Sequence, residues 1–341
     1  MPKRPNWPVY SDYTATQVRQ LDGRCNRTAE QAFRARSPDM KIDLKTLVHP
    51  LSVALPSNWP TNYLLAAVFF LNANRRLPRQ PQAADAAIND FIFYRMISNR
   101  WSSAEISCVD KEYAKVHAAS VASVKIPRTV EVFPLSGRVR APEFMSWLKP
   151  YLGKHLIAKP THGSGAVLFL DSDLKESAIV SFLAQSNRNF FHPIRETQYL
   201  TLQRKVIIEE NISTGTSIND YKFFCAAGQV IYCQVDVDRF TNHKRALCSV
   251  PEFALMPVRT KLLDIPDRID PPAHLAEMLR IAGELSREFG FVRIDLYDCS
   301  DGVYFGEYTF SPGAACDNFS DAAFARQFLQ KVRLCLQAPQ R

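Results

Sequence analysis

The chain has 341 residues, of which 46% are hydrophobic and 11% aromatic, and a formal net charge of +8 at pH 7. This composition excludes a disordered protein, and the length allows two or three packed units with a buried core. The longest apolar run, residues 63–71, is too short to span a bilayer, so a buried helix is expected there. The positive charge favours an anionic partner and leaves nucleotide phosphates, a uronic acid and nucleic acid open.

The eight cysteines and the N-terminal residues indicate the cellular compartment in which the protein is expected. No two cysteines form a C-x-x-C pair, and no Cys/His cluster has the spacing of a zinc site. Residues 1–20 carry basic side chains but no apolar stretch, so no signal peptide is predicted. Reduced thiols in a cytoplasmic protein fit this pattern, with most cysteines acting as small core residues.

Helices are predicted in the first third of the chain, and strands become frequent after about residue 124. Apolar residues recur at helical spacing over 61–74, 83–101 and 108–122, with a basic, proline-containing break at 75–85. Strands are predicted at 155–160, 165–171, 205–212, 291–298 and 302–310, with two more in 221–240 turned near Ala227 and Gly228. Further helices are predicted at 173–187, starting after Asp171 or Ser172, at 271–290 and at 320–336. This order predicts an α+β fold with mainly antiparallel pairing in its second half.

The last two predicted strands each carry one carboxylate. Asp295 lies in the middle of VRIDLY, and Glu307 lies in the partner strand FGEYTF. Two antiparallel strands joined by a tight turn can place these side chains next to each other on one face. Such a pair suits Mg²⁺, which takes one or two carboxylates together with phosphate oxygens. A buried ion pair between Asp295 and Arg293 explains the same spacing equally well.

Lys159 ends an apolar strand directly before the glycine-rich loop THGSG. A lysine in this place can hold a phosphate group while the loop amides line the same anion. The loop is neither a Walker sequence nor G-x-G-x-x-G, and an ordinary turn is the alternative.

Taken together and in order, the motifs resemble the ATP-grasp superfamily, and more closely its TupA-like branch, named for teichuronopeptide biosynthesis. The resemblance rests on KPTHGSG (159–165), DYKFF (220–224), VRIDLY (292–297) and GEYTFSPG (306–313), supported by VDKEYAKVHAAS (109–120) and DRFTNHKR (238–245). It covers roughly residues 88–325. No recognisable motif occurs in the first eighty or so residues.

The resemblance implies roles for individual residues. It implies that Lys159 and Arg293 act in catalysis, with Arg293 steadying the acyl phosphate and tetrahedral oxygens, as a planar donor fork can. ATP would be bound by a loop that closes over its phosphates, by a hinge that reads adenine mainly through main-chain groups, and by residues at the phosphates and ribose. These residues are Lys111, Lys159, His162, Gly163, Ser164, Gly165, Glu209, Glu210, Ile212, Asp220 and Lys222. For Lys111, an exposed helical lysine is the alternative.

The sequence departs from the family pattern at two residues, and the acceptor pocket has an alternative interpretation. Asp295 and Glu307 match the magnesium ligands, and Thr309 stands where the wider superfamily has an Asn as third ligand. Thr161 replaces the usual Asn of the loop, and modest effects are expected. The acceptor pocket is predicted to be lined by residues after the second strand of 221–240, with a solvated basic loop as the alternative; these residues are Asp238, Arg239, His243, Arg245 and, from the last strands, Arg293.

The resemblance implies an ATP-grasp fold, in which two α+β subdomains clamp ATP, after a largely helical N-terminal region. The predicted boundaries are 1–85, 86–212 and 213–341. The expected function is that of a cytoplasmic bacterial carboxylate–amine ligase that uses ATP and one or two Mg²⁺ ions and forms an acyl phosphate. A uronic acid, an amino acid such as glutamate or a related small carboxylate is the expected acid, in surface polysaccharide or natural-product biosynthesis.

Two other functions stay open from the sequence. An ATP-grasp kinase would phosphorylate a hydroxyl at the same nucleotide site. A basic nucleic-acid-binding module would use the acidic pair structurally, although no RNA- or DNA-binding motif is present and no nucleic-acid partner is expected. The partners expected of the ligase are a small or glycan-linked carboxylate and an amine, and the oligomeric state is open.

Overall fold

The computed structural model describes residues 44–213, 219–238, 242–260 and 263–338. Two parts of the sequence predictions lie outside the described residues. They are residues 1–43 of the predicted N-terminal region, which include Cys25, and Arg239 of the predicted acceptor pocket. No helix in the described ranges is long and apolar enough to cross a bilayer.

In the described chain, five helices precede the first strand, and strands predominate after it. The helices are α1 (Leu44–Ala54), α2 (Trp59–Asn74), α3 (Ile88–Met96), α4 (Ser103–Val109), α5 (Lys111–Val121), α6 (Ala141–Leu148), α7 (Glu176–Ser186), α8 (Leu275–Ser286) and α9 (Ala322–Gln337). The strands are β1 (Thr129–Pro134), β2 (Leu156–Pro160), β3 (Leu168–Phe169), β4 (Lys205–Glu210), β5 (Asp220–Ala226), β6 (Gln229–Val237), β7 (Lys244–Cys248), β8 (Leu255–Met256), β9 (Val292–Cys299) and β10 (Gly302–Thr309).

The strands form two antiparallel sheets. The smaller sheet has the order β1-β4-β2-β3, and the larger has the order β10-β9-β5-β6-β7-β8. Helices α6 and α7 pack on the smaller sheet through Phe144, Phe182 and neighbouring apolar residues. The predicted α+β class is confirmed, and the described part of the N-terminal region is helical, as expected.

Helices cover both faces of the larger sheet. Successive side chains of each strand point to opposite faces, so neighbouring residues enter different cores. In β5, Phe223 and Cys225 join the core beneath α4, α5 and α8, whereas Phe224 joins the core beneath α2, α3 and α9. On the second face the apolar surface gives way to charged residues, since Asp220 and Lys222 precede Phe224 at spacings of two. This polar end of an otherwise apolar face is where most of the predicted site residues lie.

Several predicted elements differ from the structure at their boundaries. The helix predicted at 108–122 is two helices, because the Asp110 side chain caps α5 by accepting from the Glu112 amide at 2.9 Å. Strand 165–171 shortens to Leu168–Phe169, and the helix predicted after Asp171 or Ser172 begins only after Lys175. Residues 271–274 lie outside α8, so the helix predicted at 271–290 is shorter at both ends.

The sequence prediction missed five elements, which are α1, β1, α6, β7 and β8. β1 alternates exposed and half-buried residues along its length, without a buried apolar run that would mark it as a strand. The predicted domain boundaries remain predictions.

Candidate functional site

Lys159 forms an ion pair with Glu209, and a second lysine shares the same carboxylate. Lys159 Nζ lies 2.6 Å from Glu209 Oε1, and Lys115 Nζ, from helix α5, lies 2.5 Å from Glu209 Oε2. Burial alone would raise the pKa of Glu209, but the two ammonium groups outweigh it and lower the pKa. The ionised carboxylate therefore holds two lysine side chains together. The expected adenine contact of Glu209 through its main chain stays a prediction.

The first residues of the glycine-rich loop are held firmly by hydrogen bonds. His162 is buried, its Nε2 donates to the Ser186 carbonyl at 2.9 Å, and its Nδ1 accepts from the Lys205 amide at 3.3 Å. Burial lowers the pKa of His162, so the imidazole is neutral in this arrangement. Thr161, fully buried, donates to Asp110 Oδ2 at 2.9 Å. His162 thus anchors the loop, and only Ser164 and Gly165 of the predicted lid are exposed.

Lys111 connects the loop with the larger sheet. Its Nζ donates to the Gly163 carbonyl and lies 3.4 Å from Glu307 Oε2. The side chain is 15% exposed, so it differs from the exposed helical lysine that was the alternative. One ammonium group therefore joins the loop between β2 and β3 to strand β10.

The predicted pairing of Asp295 and Glu307 is present. The two residues lie opposite each other in the β9–β10 register, and a bulge between Phe305 and Glu307 produces that alignment. Gly306 occupies the bulge, where an added Cβ would lie 2.9 Å from the Asp295 carbonyl oxygen and 2.9 Å from a Tyr297 ring carbon. The bulge needs a glycine, because a larger residue would push the two strands apart.

Arg293 forms the ion pair with Asp295 that was the alternative explanation of the spacing. Its Nε lies 2.6 Å from Asp295 Oδ1 and its Nη2 lies 2.7 Å from Asp295 Oδ2. Nη2 also donates to Thr309 Oγ1 at 3.0 Å and lies 3.6 Å from Glu307 Oε1. The guanidinium thus contacts all three residues that the resemblance assigns to the metal.

Lys222 lies at the centre of three carboxylates, one on its own strand β5 and one on each neighbouring strand. Its ammonium donates to Asp220 and to Asp295, at 2.8 Å from the latter, and lies 3.9 Å from Asp236. Lys222 is 4% exposed. Its charge is balanced inside the protein, so its predicted ATP contact stays a prediction.

Arg245 and His243 extend this charged row to β7. Arg245 Nε lies 2.5 Å from Asp236 Oδ1, and His243 Nε2 lies 3.3 Å from the same atom. Burial would raise the pKa of Asp236, but the adjacent His243 and the charges of Lys222 and Arg245 lower it. Arg245 is buried, so the interpretation as a solvated loop is wrong at this residue. An acceptor contact of His243 or Arg245 stays a prediction.

Glu210 is the last residue of β4, and Ile212 follows it by two residues. The Glu210 side chain is 51% exposed, and its amide donates to the Arg128 carbonyl at 3.0 Å. That amide is occupied within the sheet, so an adenine contact at Glu210 depends on other groups of the residue.

Lys115 was missed by the sequence prediction. It follows Lys111 by four residues on one helix, which places both side chains on one face. This four-residue spacing of two lysines was the signal in the sequence that could have pointed to Lys115.

The carboxylates fit Mg²⁺ as a partial site. Within the described ranges, no group of three or more His, Cys, Asp or Glu side chains could hold a metal ion. Two hard carboxylate donors suit Mg²⁺ only if phosphate oxygens and water complete the octahedron. Glu307, at 25% exposed, is the more accessible of the two carboxylates, because both oxygens of Asp295 accept from Arg293 or Lys222. Thr309 orients Glu307, to which its hydroxyl donates at 3.4 Å.

Two antiparallel sheets whose lysines and carboxylates meet at a glycine-rich loop define an α+β protein of the ATP-grasp class. The chain belongs to the TupA-like ATP-grasp family, whose model matches residues 100–331. A comparison with curated proteins finds no match to the chain.

Solved structures of ATP-grasp ligases are similar to the chain at low identity. PsnB, an ATP-grasp ligase complexed with a minimal precursor, Mg and ADP, is 14% identical over 69% of this chain and 61% of PsnB, with a TM-score of 0.36. D-alanine–D-alanine ligase from Bacillus anthracis complexed with ATP is 15% identical over 68% of both chains, with a TM-score of 0.35. VanG D-Ala:D-Ser ligase from Enterococcus faecalis is 14% identical over 67% of this chain and 62% of VanG, with a TM-score of 0.34. The chain thus spans less than two thirds of PsnB and VanG.

Proposed function

We propose that the protein is an ATP-dependent ligase that joins a carboxylic acid to an amine through an acyl phosphate. Membership of the TupA-like ATP-grasp family supports an ATP-dependent enzyme of this class. A uronic acid, an amino acid such as glutamate or a related small carboxylate is the proposed acid, in the making of a surface polysaccharide or a natural product.

The observation that carries the proposal is the contact of Lys111 with both halves of the site. Lys111 contacts the Gly163 carbonyl in the loop and lies 3.4 Å from Glu307 in β10. An anion placed between the loop and β10 would meet this ammonium group and the loop amides of Ser164 and Gly165. This is the arrangement that a polyphosphate requires.

The residues of the chain would contribute position and charge. When bound, ATP would supply the phosphoryl group that activates the acid, and Mg²⁺, held by Glu307 and Asp295, would offset the charge on phosphate oxygens. Lys159 and Lys111 would bind phosphate oxygens, and Glu209 would keep Lys159 in place. Arg293 would stabilise the negative oxygens that develop at the reacting carbonyl. No side-chain nucleophile is needed.

The described cysteines do not suggest an alternative covalent route. All seven are free thiols, and burial raises the pKa of Cys108 and Cys225 to about 12. Thiols with raised pKa values are poor nucleophiles near neutral pH.

The test is to incubate the purified protein with ATP, Mg²⁺ and candidate acids, with and without amines. D-glucuronate and L-glutamate are suitable first acids, and ethanolamine and L-alanine are suitable amines. Release of ADP and phosphate that depends on the amine, with an amide detected by mass spectrometry, supports the ligase. A stable phosphorylated product overturns it in favour of a kinase.

A further inference from the structure

A buried turn next to the proposed site carries a carboxylate that the proposed mechanism does not use. The turn comprises residues 196–199 and includes the short 3₁₀ helix Thr197–Tyr199. Arg195, directly before it, is fully buried with a backbone φ of +64°. Its guanidinium donates to the carbonyls of Ser52 at 2.7 Å and Leu55 at 3.1 Å. These bonds offset the backbone strain and fasten the turn to the end of helix α1.

Glu196 is a buried acid that forms no ion pair with any lysine, arginine or histidine in the described part of the chain. It is 6% exposed, and its single side-chain hydrogen bond among the described residues comes from Gln198 Nε2 at 3.2 Å. Burial raises the pKa of Glu196 and the bond from Gln198 offsets this only in part, so the pKa is raised to about 8. A buried carboxyl in this condition lacks the positive charge that would keep it ionised.

Gln198 adds a second acceptor at the same place. Its Nε2 donates one hydrogen bond to Glu196 and another to Ser311 Oγ, at 2.9 Å from the latter. Its Oε1 is buried and has no hydrogen-bond partner among the residues that the structure describes. Gln198 itself is 1% exposed. The turn therefore offers one acceptor without a donor, Gln198 Oε1, beside a carboxyl group that accepts a single hydrogen bond. An ammonium group, with three donors and a positive charge, is their chemical complement.

The turn lies between the end of β10 and the glycine-rich loop. Ser311 follows Thr309 by two residues, and Thr309 accepts a hydrogen bond from Arg293. The Tyr199 ring lies 4.8 Å from the Phe190 ring, which in turn is 3.2 Å from where a Cβ at Gly163 would lie. Burial raises the pKa of Tyr199, and the charges of both Glu196 and Glu307 act on it in the same direction. Both carboxylates are thus within electrostatic reach of one phenol.

We propose that Glu196 and Gln198 bind the ammonium group of the amine substrate and that Glu196 accepts the proton whose loss makes the nitrogen a nucleophile. This inference rests on the proposed function. The positive charge of the bound ammonium ion favours the ionised form of Glu196. The ammonium ion then transfers one proton to this carboxylate, which leaves a lone pair on nitrogen. The nitrogen then forms the C–N bond as the bond from carbon to the phosphate oxygen breaks. Phosphate leaves with the bonding electron pair and takes the second surplus proton.

The first experiment measures binding of simple amines to the full chain. Glycinamide and ethanolamine are the charged probes, and N-acetylethanolamine is the uncharged control, with binding followed by saturation-transfer NMR. Glu196→Gln keeps the shape of the side chain and should weaken binding of the charged probes by about tenfold or more, the loss of one hydrogen bond to a charged group. Glu176→Gln, at an exposed acid in the first turn of α7, should bind as the parent does.

Two binding results would overturn the inference. One is equal binding of the charged probes by the parent and by Glu196→Gln; the other is failure of the parent to prefer the charged probes to the acetylated one. If Glu196→Gln does not fold, as judged by circular dichroism, Gln198→Leu removes the second acceptor and carries the same expectation.

The second experiment separates this inference from the proposed function. With ATP and L-glutamate or D-glucuronate, hydroxylamine traps an activated acid and needs no deprotonation, because it is uncharged at neutral pH. Glu196→Gln should keep hydroxamate formation and lose amide formation with ethanolamine by about tenfold or more. If the parent releases no ADP with any acid, the proposed function fails, and amine binding alone then decides the role of Glu196. Equal loss of both products in Glu196→Gln overturns the role in proton transfer.

Discussion

Lys111 Nζ of helix α5 lies 3.4 Å from Glu307 Oε2 of strand β10, although the two residues are 196 positions apart in the sequence. The same ammonium group donates to the Gly163 carbonyl. One lysine therefore sets the spacing between the glycine-rich loop and the strand that carries the proposed metal ligand.

Lys111→Met should weaken ATP binding without loss of the fold. The change removes an ammonium group that would face phosphate oxygens, and a hydrogen bond to a charged group contributes about 1.5–3 kcal/mol, so affinity should fall roughly tenfold to a hundredfold. Titration calorimetry with a non-hydrolysable ATP analogue and Mg²⁺ measures it. Lys125→Met is the matched control, since Lys125 is 46% exposed and pairs with Asp301. Equal affinity in the two variants would contradict the proposed phosphate contact.

Glu307→Gln should abolish most turnover while the protein stays folded. The side chain is 25% exposed, so its removal costs little packing, whereas a lost Mg²⁺ ligand removes several kcal/mol of charge stabilisation. ADP release should fall by roughly a hundredfold or more. The concentration of Mg²⁺ needed for half-maximal ATP binding should rise in parallel. Activity within a few-fold of the parent would show that Glu307 is not a metal ligand.

The residues that could be predicted from the sequence are those whose neighbours follow from strand pairing. Asp295 and Glu307 are joined by a short hairpin, so their spacing was enough to place them on one face, and the register confirms it. The predicted α+β class rests on the same local patterns. The Gly306 bulge that aligns the pair has no signal in strand periodicity, because a bulge is an exception to the alternation.

Contacts between distant elements could not be predicted in this way. Glu209 was placed at the adenine hinge by resemblance, yet its side chain pairs with Lys115 and Lys159, which come from a helix and from another strand. Glu196 had no signal at all, because nothing in its local sequence shows that it is buried or that the adjacent Arg195 is directed to helix α1. Such contacts depend on tertiary packing, which pattern and spacing do not describe.

Gly306→Ala should destabilise the β9–β10 pair and separate the two carboxylates. The added methyl group would lie 2.9 Å from the Asp295 carbonyl oxygen, so the backbone must shift, at a cost of about 1–3 kcal/mol. Gly290→Ala is the control, since its nearest neighbour is a Leu336 methyl group at an ordinary 3.5 Å. Thermal unfolding should show a lower Tm for Gly306→Ala only. A Tm equal to that of the control would mean that the bulge does not require glycine.

Glu196→Gln should make the protein less sensitive to rising pH. Burial raises the folded-state pKa of Glu196 to about 8, against 4.5 for an unperturbed glutamate. Between these values the folded state binds the proton and the unfolded state does not, so stability falls as the pH rises, by up to about 1.4 kcal/mol per pH unit. Glutamine cannot ionise, so the variant lacks this dependence.

The measurement is the Tm of the parent, Glu196→Gln and Glu176→Gln between pH 5 and pH 8.5. The difference between Glu196→Gln and the parent should grow in favour of the variant as the pH rises, and it should level off above about pH 8, where the folded parent has also lost its proton. Glu176→Gln, exposed in α7, should track the parent at every pH. A difference that stays constant over this range would mean that Glu196 is already ionised in the folded protein, and a cationic group would then have to lie beside it.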